Sequence, residues 1–259
     1  MNAITSIFQR DDTGTLHVIA LSGGHDSTAL ALLLKEREPR PYNYVCTPTG
    51  DELPSMFAHW RGLGERLGRL VYPMSRKTLN TVIQEQGSLP NFRMRYCTRI
   101  LKIEPYREFL KEQAAIGPVV SYVGLRADEP GRAGGAYDDI GGVSMRFPLR
   151  EWGFGEDDVQ ETLRRFEVAV PDRTDCARCY HQRIGEWFEL WRDYPAMFED
   201  AATQEEQMGA TFRTPGRDSW PSSLREMGKR FAAGDIPTTS LNRLARERMQ
   251  IGSCRVCSL

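Results

Sequence analysis

The sequence has 259 residues, of which 40% are hydrophobic and 27% charged, and its formal net charge is −1. This length suits one large α/β domain, alone or with a C-terminal addition, and the composition is typical of globular proteins. The near-zero charge gives no bulk attraction toward nucleic acid or an anionic membrane. No apolar run reaches the roughly 18 residues that span a bilayer, and residues 1–14 lack an apolar core of signal-peptide length. We therefore expect a cytoplasmic protein without a membrane partner.

The N-terminal part of the chain alternates between short apolar strands and apolar helices. Strands are predicted where β-branched and aromatic residues follow one another, and helices where leucine and alanine dominate. The predicted order is strand 16–21, helix 26–38, strand 42–50, helix 53–68 and strand 69–74. This alternation predicts a doubly wound, mostly parallel α/β sheet.

The alternation continues once more and then stops. A helix is predicted at 103–117, a strand at 119–127, a glycine-rich surface loop at 128–142 and a further helical segment at 146–166. Beyond about residue 170, helices rich in Trp and Phe predominate. We therefore expect an α/β domain at residues 1–170 and a helical region at residues 171–259, which carries four of the six cysteines.

A polar, glycine-rich loop follows the first predicted strand. Residues 22–27 read SGGHDS and stand immediately before the first predicted helix. Glycines let backbone N–H groups approach an anion closely, and the helix N-terminus adds positive potential, so the loop is suited to hold a phosphate. The carboxylate of Asp26 would repel a phosphate, and its presence in this loop is explained if it holds Mg²⁺ or orients the loop.

The loop matches SGGxDS, the PP-loop of the ATP pyrophosphatases. These adenine nucleotide alpha hydrolase-like proteins have a Rossmann-like fold and include the phosphoadenosine phosphosulfate reductases, the ATP sulfurylase small subunit, and tRNA and DNA thiolation enzymes. Four further segments resemble the family in the right order: CTPTGDELPSMFAHW at 46–60, YCTRILKIEPYREFL at 96–110, VGLRADEPGR at 123–132 and FPLREWGFGEDDV at 147–159. The resemblance covers roughly residues 15–195 and is strongest toward the phosphosulfate reductases and their iron–sulfur thiolation relatives.

The resemblance implies roles for particular residues. The phosphates of an adenine nucleotide would be held by Ser22, Gly23, Gly24, Asp26 and Ser27; Gly50, Asp51 and Glu52 would lie near the nucleotide; and Arg126 and Arg132 would meet a second anionic group. The alternative for the two arginines is a solvated surface loop. His25 stands where relatives often have Lys, and it is either a conditional positive charge near the phosphates or a spacer in solvent.

The cysteines point to sulfur or metal chemistry. In iron–sulfur adenylylsulfate reductases, a Cys pair and a later C-x-x-C hold a [4Fe–4S] cluster. Three positions match here, Cys97, Cys176 and Cys179, but Tyr96 replaces the fourth cysteine. The cluster would then have an open iron or a fourth ligand from Cys254 or Cys257. Alternatively, the two C-x-x-C pairs would form a zinc site. We favour the iron–sulfur cluster.

The terminal SCRVCSL is suited to sulfur relay. The thiolate of one cysteine on a tail can attack a sulfur compound, and the neighbouring cysteine can resolve the product as a disulfide.

Three functions remain open. The first is binding of Mg–ATP and adenylation of an acceptor, with release of pyrophosphate, followed by sulfur transfer that uses Asp26, Cys254 and Cys257. A cysteine desulfurase or a thiol would donate the sulfur, and the acceptor could be a nucleic acid. The second is reduction of adenylyl sulfate or its 3′-phosphorylated form. The third is a non-catalytic nucleotide-binding partner in sulfur relay, and a homo-oligomer is compatible with all three.

Overall fold

The structure is a computed structural model that describes residues 7–132, 134, 137 and 139–250. Five parallel strands form one sheet in the order β3–β2–β1–β4–β5. The strands are β1 (Leu16–Ala20), β2 (Asn43–Cys46), β3 (Val71–Pro73), β4 (Val119–Tyr122) and β5 (Val143–Arg146). The predicted doubly wound α/β fold with a helical C-terminal part is confirmed.

Helices connect the strands and continue after the last one. Those of the α/β part are α1 (His25–Arg37), α2 (Pro54–Leu67), α3 (Leu79–Gln86), α4 (Tyr96–Thr98), α5 (Glu104–Ala114), α6 (Pro148–Glu151) and α7 (Glu156–Arg165), with a π-helical turn at Arg99–Ile103. The C-terminal helices are α8 (Ile184–Asp193), α9 (Pro195–Met208), α10 (Leu224–Ala232) and α11 (Thr238–Gln250).

The alternation of side chains along β1 explains why both faces of the sheet are covered. Leu16 and Val18 pack with residues of α5 on one face, whereas Ile19 packs with α1, α2 and α7 on the other. Successive side chains of a strand point to opposite faces, and a parallel sheet with helices on both sides is buried throughout. A strand such as β1, whose side chains are nearly all buried, is therefore what this fold requires.

A second apolar core lies in the helical part. Trp187 of α8 is fully buried at its centre and packs with Phe198, Phe212 and Phe231. Side chains of α3 and α4 from the first half of the chain join the same core. The helical core is thus not built from residues after 170 alone, and the division of the chain into domains at that position stays a prediction.

The sequence interpretation missed β5, which falls between the predicted loop at 128–142 and the predicted helix at 146–166. Its four residues, VSMR, lie at the edge of the sheet and pair with β4 alone. A short edge strand needs no continuous apolar pattern, because one of its sides is open to solvent. Such a strand leaves little signal in the sequence.

Candidate functional site

Three loops meet at the carboxyl edge of the sheet. Residues 22–27 follow β1, residues 49–52 follow β2, and residues 124–132 follow β4. β1 connects to β2 on one side, whereas β4, its neighbour on the other side, connects onward to β5, so the connections run in opposite directions from these two adjacent strands. Ligands of open α/β sheets bind at such a switch point, at the carboxyl ends of the strands.

The loop at residues 22–27 is organised around the hydroxyl of Ser27. This oxygen accepts a hydrogen bond from the N–H of Gly23 at 3.1 Å and donates one to the carbonyl of Gly24 at 3.1 Å. The hydroxyl of Ser22 lies 3.0 Å from it. No side chain in the described part of the chain caps α1 at Gly24, so the first turn of the helix presents its backbone N–H groups toward the loop. This is the backbone arrangement that favours an anion.

Gly23 is required by its conformation and by its neighbours. Its φ is +85°, in the left-handed region that favours glycine. A Cβ atom here would lie 2.7 Å from Met56 Cε and 2.7 Å from Trp60 Nε1, both on α2. The loop therefore packs directly on α2, and its shape depends on the absence of a side chain.

Gly124 allows the loop after β4 to approach the loop after β1. A Cβ atom at Gly124 would lie 3.0 Å from the carbonyl carbon and oxygen of Asp26 and 3.0 Å from the nitrogen of Ser27. The glycine of the Gly-x-Arg segment thus serves close backbone contact, and it brings Arg126 next to the first loop.

Arg126 joins the two loops through charge. Its Nη1 donates to Asp26 Oδ1 at 3.2 Å and its Nε donates to Asp128 Oδ1 at 2.9 Å, and the side chain is almost fully buried. Burial opposes the charge of Arg126, but Asp128, Asp26 and Glu129 outweigh it and raise its pKa. Burial raises the pKa of Asp26, although Arg126 and Arg132 oppose this.

Arg132 lies on the other side of the same carboxylate. Its Nη1 is 2.8 Å from Glu129 Oε2 and 3.8 Å from Asp26 Oδ2. Arg150 holds this loop from α6, because it donates to the carbonyls of Arg126 at 3.1 Å, Glu129 at 2.7 Å and Arg132 at 2.5 Å. The structure thus brings both arginines beside Asp26, and their contact with a second anionic group stays a prediction. The assignment of Mg²⁺ to Asp26 stays a prediction, and both of its carboxylate oxygens face guanidinium groups.

Gly50, Asp51 and Glu52 form a turn whose carboxylates are already engaged. Glu52 accepts from the N–H of Thr49 at 2.7 Å and from that of Gly50 at 3.0 Å. Asp51 accepts from the N–H of Arg178 at 2.8 Å, from its Nε at 2.8 Å and from its Nη2 at 2.5 Å. The turn thus holds the Cys176–Cys179 loop beside the carboxyl end of β2. Its predicted nucleotide contact stays a prediction.

Three of the predicted metal-binding cysteines converge. Cys97, Cys176 and Cys179 line one small cavity with Thr49, Lys102 and Arg178. The neighbouring Cys176, together with burial, raises the pKa of Cys179. Burial and the neighbouring Cys176 raise the pKa of Cys97.

These thiols provide the soft donors that iron–sulfur clusters and zinc prefer. Within the described ranges, no group of three or more His, Cys, Asp or Glu side chains is arranged to hold a single metal ion. The predicted ligands and relay residues Cys254 and Cys257 lie outside the described residues. Cys46 is buried in β2, and burial raises its pKa to about 12, which suits a core thiol.

Sequence reasoning missed Arg178, Arg150 and Lys102. Arg178 had a local signal, because it stands between the cysteines of the C-A-R-C motif. Its partner Asp51 lies 127 residues away in the sequence, so no local pattern could join them. Arg150 lies within the segment at 147–159 that resembles the family, but its bonds are to backbone carbonyls and leave no pattern of residue types.

The parallel sheet and its glycine-rich loop at the switch point define an α/β protein of the PP-loop type. A family model described as "Phosphoadenosine phosphosulfate reductase domain" matches residues 16–171, which is more than half of the chain. The chain therefore belongs to the phosphoadenosine phosphosulfate reductase domain family. This membership indicates a nucleotide-binding enzyme.

Two further comparisons describe what the chain is similar to. It is 22% identical over 275 aligned residues to the uncharacterized nin region protein ORF290 of Escherichia phage lambda, covering 92% of this chain and 93% of that protein. A crystal structure of phosphoadenylyl-sulfate reductase from Candida auris, in complex with phosphate, has a TM-score of 0.47 and 14% identity. It covers 60% of this chain and 74% of the other. Among the helices of the described residues, none has the length and apolarity to cross a membrane.

Proposed function

We propose that the chain binds the phosphates of ATP at residues 22–27 and adenylates an acceptor, with release of pyrophosphate, as the first step of a sulfur transfer. The observation that carries the proposal is the intact loop around Ser27, with Gly23 in the left-handed region at the start of α1. An intact loop is needed to hold a pyrophosphate group, whereas a reductase of phosphosulfates releases none. Adenylation is useful because AMP leaves readily, while a hydroxyl or carbonyl oxygen does not.

The residues of the loop would bind and orient the phosphates. The backbone N–H groups at the start of α1 supply donors and the positive end of a helix dipole. Arg126 and Arg132 stand next to Asp26 and would add positive charge on the side of the loop after β4. Such preformed donors stabilise negative charge that develops in a transition state without reorganising at that moment.

The cysteines would supply the sulfur chemistry. Cys97, Cys176 and Cys179 are the residues that would hold an iron–sulfur cluster, with Cys254 or an exogenous ligand at the fourth position. A bound cluster supplies a site for sulfide or for electrons. Lys102 lines the same cavity, and its charge would favour the thiolate form of Cys97 against the effect of burial. A cysteine desulfurase or a small thiol would serve as the sulfur donor.

Reduction of adenylyl sulfate or its 3′-phosphorylated form is the second candidate. Family membership and the two arginines beside Asp26 favour it, because a sulfate or a 3′-phosphate needs a second anion site. In that reaction a cysteine thiolate would attack the sulfur and displace AMP or its 3′-phosphorylated form, which leaves an S-sulfocysteine. A second thiol would then attack the cysteine sulfur, so that sulfite leaves and a disulfide forms.

One experiment separates the two candidates. The protein is purified without oxygen, its iron, sulfide and zinc contents are measured, and it is incubated with Mg–ATP or with each sulfonucleotide plus a thiol. Adenylation predicts AMP and pyrophosphate from ATP once an acceptor is present, and exchange of labelled pyrophosphate into ATP. Sulfite formation from a sulfonucleotide without use of ATP would replace the first candidate by the second.

The metal assignment is tested by matched variants. Cys97→Ser should lower the bound iron sharply, because it removes one thiolate from the cavity, whereas Cys46→Ser, at a buried cysteine outside that cavity, should leave the iron per folded protein unchanged. Stoichiometric zinc without iron in the wild-type protein would contradict the cluster.

A further inference from the structure

A large cavity lies in the helical part and is separate from the site at the carboxyl edge of the sheet. Its volume is about 540 Å³, within the range typical of small-molecule sites. Among the described residues that line it, four are arginines, Arg183, Arg213, Arg217 and Arg243, and one is acidic, Asp218.

The charges around this arginine cavity, defined by those four residues, are only partly balanced. Glu247 pairs with Arg183 at 2.5 Å and with Arg243 at 3.0 Å, and Asp218 pairs with Arg213. Arg217 donates to the backbone carbonyl of Gln182 at 3.2 Å. Partial burial and the charge of Arg213 lower the pKa of Arg217, and Asp218 and Glu186 oppose only part of this. The cavity is therefore electrically favourable for an anion.

Arg213 is a buried arginine in the wall of this cavity. Arg213 is 1% exposed, and its Nε has no hydrogen-bond partner in the described portion of the chain. This nitrogen is itself closed off from solvent, so Arg213 contributes a fixed charge to the wall rather than a donor open to the cavity. The other nitrogens of Arg213 bond to the carbonyls of Trp220 and Pro221 and to Asp218, which fixes the guanidinium in place.

Two helices begin at the cavity. Ile184, the first residue of α8, and Thr238, the first residue of α11, both line it. Helix N-termini carry partial positive charge, and the hydroxyls near the start of α11 add donors that suit a tetrahedral oxyanion. Trp220 and Ile236 form an apolar part of the wall. The volume exceeds what a bare phosphate would fill and leaves room for an organic part beside the anionic group.

We propose that the arginine cavity binds a phosphate group carried by a nucleotide, either free or within a nucleic-acid strand. The phosphate would lie among the arginines, and the organic part would contact Trp220 and Ile236. The cavity adjoins the cysteine site, because Arg217 bonds to the carbonyl of Gln182, and the side chain of Gln182 donates to the carbonyl of Cys176 at 3.3 Å. This proposal does not rest on ATP binding at residues 22–27.

The test uses the full-length protein and two probes, thymidine monophosphate and a short single-stranded oligothymidylate with a fluorescent label. Affinities are measured for the wild type, for Arg217→Ala/Arg243→Ala, and for Arg225→Ala as a control. Arg225 is a partly exposed arginine of the same helical part that pairs with Glu199 and Glu206 and does not line the cavity. Circular dichroism verifies that each variant is folded.

We expect the affinity of the double variant to fall at least about tenfold, because the substitutions remove two charged hydrogen-bond donors to the phosphate. For the oligonucleotide, the salt dependence of binding should also flatten by about 0.7 for each phosphate that the variant no longer neutralises. Arg225→Ala should retain the wild-type affinity. If the double variant binds the oligonucleotide more weakly than the wild type does, the ligand of the cavity is a nucleic-acid strand. If it binds only the monophosphate more weakly, the ligand is a free nucleotide.

Equal affinities in the wild type and the double variant for both probes would overturn the proposal, as would an equal reduction in Arg225→Ala. If the double variant does not fold, hydrogen exchange on the wild-type protein decides. Bound probe should protect amides at residues 213–220 and 236–243, and unchanged exchange there at saturating probe would overturn the proposal.

Discussion

Replacing Asp51 by Ala tests whether this carboxylate anchors the cysteine loop. Asp51 and Arg178 are 5% and 7% exposed, and three hydrogen bonds join them, two from the guanidinium and one from the backbone N–H of Arg178. The backbone N–H of Ala177 also donates to the carbonyl of Asp51 at 2.7 Å. The substitution therefore leaves a buried guanidinium and a buried N–H group without their acceptor.

The expected destabilisation follows from these hydrogen bonds. Removing one partner of a buried ion pair costs about 3–5 kcal/mol. Arg178 keeps hydrogen bonds to Asn80 at 2.6 Å and Gln204 at 2.9 Å, which satisfy part of its guanidinium. The lower end of that range applies, and we expect the free energy of unfolding to fall by about 3 kcal/mol.

Urea unfolding followed by circular dichroism measures this change. Asp193→Ala is the matched control, because Asp193 pairs with Arg192 at 2.7 Å on the surface, where such a pair is worth about 0–1 kcal/mol. We also expect Cys176 and Cys179 to react faster with a thiol reagent in Asp51→Ala, since their loop is no longer attached to the turn. A destabilisation below about 1 kcal/mol with unchanged thiol reactivity would refute the anchoring role. Weakened nucleotide binding at unchanged stability would instead favour the direct contact that the family resemblance implies.

Two further substitutions test other parts of the structure. Gly23→Ala should destabilise the protein by about 1–3 kcal/mol beyond Gly87→Ala, since both glycines have positive φ but only Gly23 has Met56 and Trp60 where the Cβ would lie. Equal destabilisation in urea unfolding would contradict this steric account. Burial raises the pKa of Glu205 to about 7 from 4.5, so its contribution to stability is complete below about pH 4.5 and is lost as the pH rises through about 7. Between pH 4.5 and 7 the free energy of unfolding of the wild type should therefore fall by about 3 kcal/mol more than that of Glu205→Gln. If the two proteins lose stability in parallel over this range, the role given to Glu205 is wrong.

The features predicted best from the sequence are those formed by residues that are neighbours in the chain. The strand at 16–21 and its glycine-rich loop are one continuous pattern, so both the sheet and the position of this loop were predictable. The contact between Asp51 and Arg178 joins residues far apart in the chain, and each is ordinary in its own surroundings. The arginine cavity was missed for the same reason, because residues such as Arg183 and Arg243 resemble surface charges until the fold brings them together.

ATP binding at residues 22–27 is tested most directly by calorimetric titration of Mg–ATP into the wild-type protein and into Ser27→Ala. The hydroxyl of Ser27 fixes Gly23 and Gly24, so its removal should weaken ATP binding by about tenfold, equivalent to about 1.4 kcal/mol. Ser75→Ala, which removes a hydroxyl bonded to the carbonyl of Leu101 outside the loop, should bind ATP like the wild type. Equal affinities in all three proteins, or no binding of ATP to the wild type, would contradict the assignment of the loop to ATP.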